Sequence, residues 1–289
     1  MADVKRRRAE NAPGEFYVDD TCIDCDTCRW IAPRTFDSEG DQSRVFHQPE
    51  SEVEAQRARM ALVACPTASI GTAHKQDLAS AVAAFPEQVE GEVFHCGFHH
   101  KDSFGAAAWL IVRADGNVLV DSPRFAGPLV RRIEELGGIR TLFLTHRDDV
   151  ADHAKWHAHF RCQRILHERD VTHDTADVEV RIEGDGVVTL APDLTVIPTP
   201  GHTEGSACLL YRDRFLFSGD HLAWSERRSA VTAFRDACWF DWIVQTASVE
   251  RLLGYRFEWL LPGHGRRIHL DAELMQGEVR RCVDWMRRP

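Results

Sequence analysis

Cys22, Cys25 and Cys28 fall in the run CIDCDTC, and a fourth cysteine, Cys65, stands directly before Pro66 in ACPTASI. A C-x2-C-x2-C loop wraps three corners of a cubane while a remote Cys-Pro closes the fourth, so the spacing suits a single [4Fe–4S] cluster. Structural zinc is the alternative, although it more often takes two separate C-x2-C pairs. Cys96, Cys162, Cys208, Cys238 and Cys282 have no ligand-like spacing and read as small buried hydrophobes. Farther along, His146, Asp148, Asp152, His153, His202, Asp220 and His264 sit where apolar runs give out, in FLTHRDDVADH, PTPGHTEG, FLFSGDH and LLPGHGR. Any one of them alone reads as a cap, a loop residue or a satisfied histidine. Together, imidazoles and carboxylates at four strand–loop junctions suit one or two divalent ions, zinc or iron.

The cysteine pattern resembles bacterial ferredoxins, whose two-cluster form carries C-x2-C-x2-C-x3-C-P. Here Ala32 takes the fourth place, before Pro33, and the later element keeps only Cys65-Pro66. The resemblance implies a small α+β ferredoxin-like module with one cluster, over about residues 14–75. Between the ligands, SEVEAQRARMALVAC reads as an amphipathic helix through Val53, Met60 and Val63, returning Cys65 to the loop.

The later series resembles the metallo-β-lactamase superfamily: a His-rich loop after a strand, a Gly-His turn, an Asp after a strand and a final Gly-His-Gly. That resemblance implies an α/β fold, an αββα sandwich with the site at one edge of the sheets. It implies that His146, His202 and Asp220 hold one metal, that Asp152, His153 and His264 hold a second, and that Asp220 bridges. Asp152 would orient the nucleophile, and Asp121 is either the family's structural aspartate or a simple turn residue. The signature H-x-H-x-D-H is broken, because two residues are extra and Asp148 stands where the second histidine belongs. Asp148 is a ligand, a cap for the following helix or a partner for Arg147. Without that imidazole, His146, His202 and Asp220 make the 2-His-1-carboxylate face of non-haem iron enzymes. The expected function is a metal-dependent hydrolase whose cluster is structural, redox-sensing or electron-transferring. The alternative is a non-haem iron oxidoreductase, persulfide-dioxygenase-like or flavodiiron-like, fed by the cluster.

The elements that must position these groups follow from composition and pattern. With 289 residues, 44% hydrophobic and 28% charged, the chain has room for one large α/β domain and a small companion. The expected division is a flexible N-terminus over 1–13, the ferredoxin-like domain over 14–86 and the metal-binding domain over 87–289. The apolar runs AAWLIVR, NVLVD, TLFLTH, RILHE, LTVIPTPGH, ACLLY, FLFSGD and EWLLPGH predict strands alternating with helices.

A net charge of −10 disfavours a nucleic-acid partner. The start MADVKRRRAENAPGEF lacks an apolar stretch, and no run spans a bilayer, so a cytoplasmic protein with no membrane partner is expected. A small-molecule substrate is expected, anionic if Arg227 and Arg228 turn inward, and a redox partner protein would serve the cluster. Trp224, Phe234, Trp239, Phe240 and Trp242 either line a pocket or pack the core. His95, His99 and His100 read as ordinary structural histidines, as do His157 and His159, which point to different faces of a helix. His221, beside Asp220, is the best candidate for a supporting role without ligation.

Overall fold

The computed structural model describes residues 2–288. All eight apolar runs become strands, and contact density divides the chain into two compact units. One comprises the chain up to Arg140 with Ala154–Phe160; the other comprises Thr141–His153 with the chain from Arg161 onward. The domain boundary near residue 87 falls inside the first unit and stands as a proposal.

In the first unit, strand Phe16–Val18 pairs antiparallel with Ile70–Thr72, and Phe36–Glu39 forms a hairpin with Gln42–Val45. Helix Glu52–Ala64 begins where the Ser51 hydroxyl accepts from the Glu54 amide at 3.2 Å and ends before Pro66, which cannot continue it. Met60 and Val63 are buried as their spacing predicts, but Val53 is 75% exposed, because the first turn lies beyond the packed face. The N-terminal stretch expected to be flexible is held by Asn11, whose side chain accepts from the amides of Val18 and Val45 and donates to the Val18 carbonyl. An antiparallel meander follows, through Glu87–Glu90, Val93–His95, Trp109–Ile111 and Val118–Val120.

In the second unit, Thr141–Phe143, Gln163–His167 and Val180–Ile182 pair in parallel. A six-stranded sheet runs in the order Val188–Ala191, Leu194–Pro198, Ala207–Tyr211, Phe215–Gly219, Trp259–Pro262, Ile268–His269. Its core side packs on helices Trp242–Arg251 and Ala272–Met286, each started by an aspartate cap, Asp241 or Asp271. Met275, Val279, Cys282, Val283 and Met286 recur at helical spacing and are all buried against Ile197, Leu210, Leu216 and Leu260. Among the described residues no helix is long and apolar enough to cross a membrane.

Candidate metal centre and cysteine cluster

The loop from Cys22 to Cys28 turns through two residues in the left-handed region, Asp24 (φ 60°) and Asp26 (φ 63°). Arg29 holds both, at 2.7 Å from Asp24 Oδ1 and 2.5 Å from Asp26 Oδ1. Cys28 lies in the short helix Thr27–Ile31, and Cys65 caps the C-terminus of Glu52–Ala64. The four cysteines line one small cavity. Backbone amides of Ser43 and Ser69 donate to the sulfurs of Cys22 (3.4 Å) and Cys65 (3.3 Å). Burial pushes the Cys25 thiol up to about 11 and that of Cys28 well above its ordinary value, and neighbouring cysteines push each the same way. Thiolates crowded together this way need bound cations, while the amides aimed at sulfur suit the thiolate form, so the cradle fits an iron–sulfur cluster.

The metal candidates of the second unit come from strand ends. His146 follows Thr141–Phe143, His202 sits in the turn after Leu194–Pro198, Asp220 directly follows Phe215–Gly219, and His264 follows Trp259–Pro262. His146 Nε2 is 3.6 Å from Asp220 Oδ2 and 4.0 Å from Asp149 Oδ2. His202 Nε2 is 3.6 Å from Asp148 Oδ2 and 3.8 Å from Asp220 Oδ2. Two donor groups result, His146/Asp148/His202 and His146/Asp149/Asp220, each with its ligand atoms within 4.8 Å of one another. His146 Nε2 and both ring nitrogens of His202 are buried with no hydrogen-bond partner. Buried imidazole nitrogens are costly to leave unsatisfied, and a shared ion would satisfy one on each ring, His146 Nε2 and His202 Nε2. Gly263 leaves the room, since a Cβ there would lie 2.7 Å from Asp149 Oδ2 and 2.9 Å from Asp220 Oδ1.

Electrostatics favour the ligating forms. Burial lowers His146 to about 4, and His202 pushes it the same way, so the ring is neutral at pH 7. Burial alone would raise Asp220, but His264, His146 and His202 hold its carboxyl well below the usual range. Asp148 is lowered chiefly by the His202 ring 3.6 Å away. A neutral His146 imidazole beside ionised carboxylates suits a divalent ion.

Not every expected residue joins these groups. His264 Nδ1 sits 2.8 Å from both Asp220 oxygens. His153 is turned elsewhere: its Nε2 donates to the Asp174 carbonyl at 3.2 Å, and Arg164 donates to its Nδ1 at 3.3 Å. Asp152, left-handed at φ 54°, is in neither donor group. Asp149, 1% exposed, stands in a donor group with His146 and Asp220 where Asp152 was expected. Asp170 is a second addition. Fully buried, it accepts from the Arg147 amide (3.0 Å), the Thr203 hydroxyl (2.5 Å) and the Gly205 amide (2.8 Å), tying the His146 loop to the His202 loop. Its signal in the sequence was the same as that of the ligands, an acid shortly after an apolar run, RILHERD.

Of the remaining candidates, Asp121 is buried and left-handed at φ 58°. Arg227 and Arg228 are exposed, with Arg228 over the Trp285 ring. Trp224 and Trp242 pack on the core, while Trp239 is 61% exposed with its ring 6.4 Å from that of His202. His221 is buried with no hydrogen-bond partner on its ring, and its carbonyl accepts from Gln245 Nε2 at 3.2 Å.

Residues 18–72 match the family described as the 4Fe-4S single cluster domain of Ferredoxin I. A hydroxyacylglutathione hydrolase from Citrobacter koseri is 29% identical over 117 residues, covering 39% of this chain and 46% of the relative. The chain thus spans about half the length of the curated relatives it matches. Among solved structures, DIM-1 metallo-β-lactamase superposes with a TM-score of 0.53 at 16% identity, covering 69% of this chain and 96% of that one. FIM-1 from Pseudomonas aeruginosa, in its mono-zinc form, gives 0.52 at 14% identity, covering 70% and 95%. The chain therefore carries a metallo-β-lactamase fold, and its residues 18–72 match the single-cluster 4Fe-4S ferredoxin family.

Proposed function

We propose that this protein is a metal-dependent hydrolase of a small-molecule ester-type substrate, with thioesters the first class to test. The observation that carries the reading is the set of buried, unpartnered ring nitrogens on His146 and His202, facing Asp148, Asp149 and Asp220. His146 and His202 with the facing carboxylates would hold a divalent ion, which would supply Lewis acidity toward a carbonyl and activate water near pH 7. The chain's own work is to fix the donors. Asp170 clamps two of the loops through their amides, and Thr145 Oγ1 sits 3.0 Å from His146 Nδ1, orienting the ring. The Asp220 carboxylate accepts a hydrogen from His264 Nδ1, which fixes its orientation in the donor group. Trp239 offers an apolar wall beside His202. The name of the Citrobacter koseri relative supports thioesters, since a hydroxyacylglutathione is one.

One observation favours a second reading. Asp148 places a carboxylate beside His202, and carboxylates shift preference toward harder metals such as iron, which a non-haem oxidoreductase would use with the cluster as electron source. Metal-reconstituted protein assayed against thioester, lactone, β-lactam and phosphoester panels decides. Cleavage in one class supports the hydrolase; silence in all four at full metal occupancy defeats it.

A further inference from the structure

The groups behind Cys25 form a chain of hydrogen bonds that leaves the ferredoxin segment. His95 and His99 are 0% and 1% exposed, and their Nε2 atoms lie 2.9 Å apart. His99 Nδ1 is 2.6 Å from the Gly105 carbonyl oxygen and 3.2 Å from Thr27 Oγ1. Thr27 Oγ1 is in turn 3.4 Å from Cys25 Sγ and 3.3 Å from the Gly105 oxygen.

The directions of these bonds follow from what each group can do. A carbonyl only accepts, so His99 carries its hydrogen on Nδ1 and its Nε2 accepts from His95 Nε2. His99 also offers its Nδ1–H to Thr27 Oγ1. The Thr27 hydroxyl has two acceptors in reach, the Gly105 oxygen at 3.3 Å and Cys25 Sγ at 3.4 Å, and the sulfur, a thiolate when it ligates the cluster, is the charged one and draws its hydrogen.

Packing closes the chain off from water. A Cβ on Gly105 would come within 2.7 Å of Cys25 Cβ and 3.0 Å of its sulfur. The His99 amide donates to the carbonyl of Ala64, the residue before Cys65, at 3.2 Å. Trp30 meets the His95 ring edge-on at 4.8 Å between centroids. In such a dry site a directed hydrogen bond is stronger than at a surface.

We propose that His99, acting through the Thr27 hydroxyl, is a positioning residue that sets the reduction potential of the cluster at Cys25. Reduction adds one electron to the cluster, and no proton moves along the chain. The added negative charge is shared by the sulfurs, so a donor aimed at one of them stabilises the reduced state and raises the potential. His95, His99 and Gly105 lie beyond the matched 18–72 segment, so a part of the chain outside the ferredoxin match tunes the cluster. The proposal rests on the reading that the four cysteines hold a 4Fe–4S cluster.

The test uses full-length holoprotein purified anaerobically, analysed for iron and sulfide, then titrated with dithionite while EPR reads the midpoint potential. T27V keeps the shape and removes the hydroxyl; H99F keeps a ring and removes both nitrogens. Each is expected to move the midpoint to a more negative value, T27S to keep the wild-type midpoint, and T27V/H99F to be no more negative than T27V alone. Wild-type midpoints in T27V and H99F overturn the proposal, as does a double variant showing the sum of the two shifts. If T27V does not retain its cluster, H99F against wild type and T27S carries the test, and an unmoved H99F overturns it. Wild-type protein lacking about four irons and four sulfides per chain defeats the cluster reading itself, whereas loaded variants with unmoved midpoints defeat this proposal alone.

Discussion

His146 Nε2 stands 3.6 Å from Asp220 Oδ2, and no hydrogen bond satisfies that nitrogen. Two ligands of one tetrahedral ion, each bound at about 2.0–2.1 Å, are separated by about 3.4 Å. The gap therefore has the width of a shared ion. H146A and D220N should each weaken divalent-metal binding on the order of 100-fold or more, read by equilibrium dialysis with the cluster iron counted separately. Unchanged affinity in both would contradict the site.

Asp149 and His153 separate the observed donor groups from those the superfamily pattern implies. D149N should lower metal affinity, because its carboxylate faces His146 and Asp220. H153A should leave metal stoichiometry intact and cost about 1–2 kcal/mol in unfolding free energy, since it removes the bonds to Asp174 and Arg164. Metal loss in H153A with retention in D149N would reverse the assignment.

Much of this architecture was legible before the structure, and what was not has a physical reason. Apolar runs such as ACLLY and FLFSGD announce buried strands, and His146, His202 and Asp220 stand where those runs end. The path of the loop after His146 is set by partners distant in sequence, Asp170 on the Arg147 amide and Arg164 on His153, so nothing local favours Asp149 over Asp152. The contact of Thr27 with His99 closes across 72 positions, and His99 therefore read as an ordinary buried histidine.

Asp170 touches neither donor group's ligand atoms but fixes the loops that carry them. D170N keeps the size and loses charge and acceptor capacity. It should reduce metal affinity about 10–100-fold while leaving the fold intact by circular dichroism. Wild-type affinity in D170N would mean that the loops hold their geometry without it.

Acid should destabilise the metal-free protein through histidines buried in neutral form. Burial lowers His221 from 6.5 to about 3, and His202 adds to the effect. The unfolded chain binds a proton that the folded state excludes, so this contribution is fully present above pH 6.5 and is lost as pH falls from 6.5 toward 3. His146, lowered to about 4, acts with the same sign. The urea midpoint should drop between pH 7 and pH 5, and H221F should show a smaller drop; equal drops would remove His221 from the account.

Hydrolysis needs neither dioxygen nor electrons, and the alternative oxidoreductase needs them. The most direct test is turnover of an acyl thioester by metal-loaded protein under strict anaerobiosis with the cluster oxidised, compared with the same assay in air and with H202A. Thiol and acid should be released at equal rates with and without dioxygen, and at no more than background in H202A. Product formation that requires dioxygen or a reduced cluster, or that persists in H202A, would contradict the hydrolase reading.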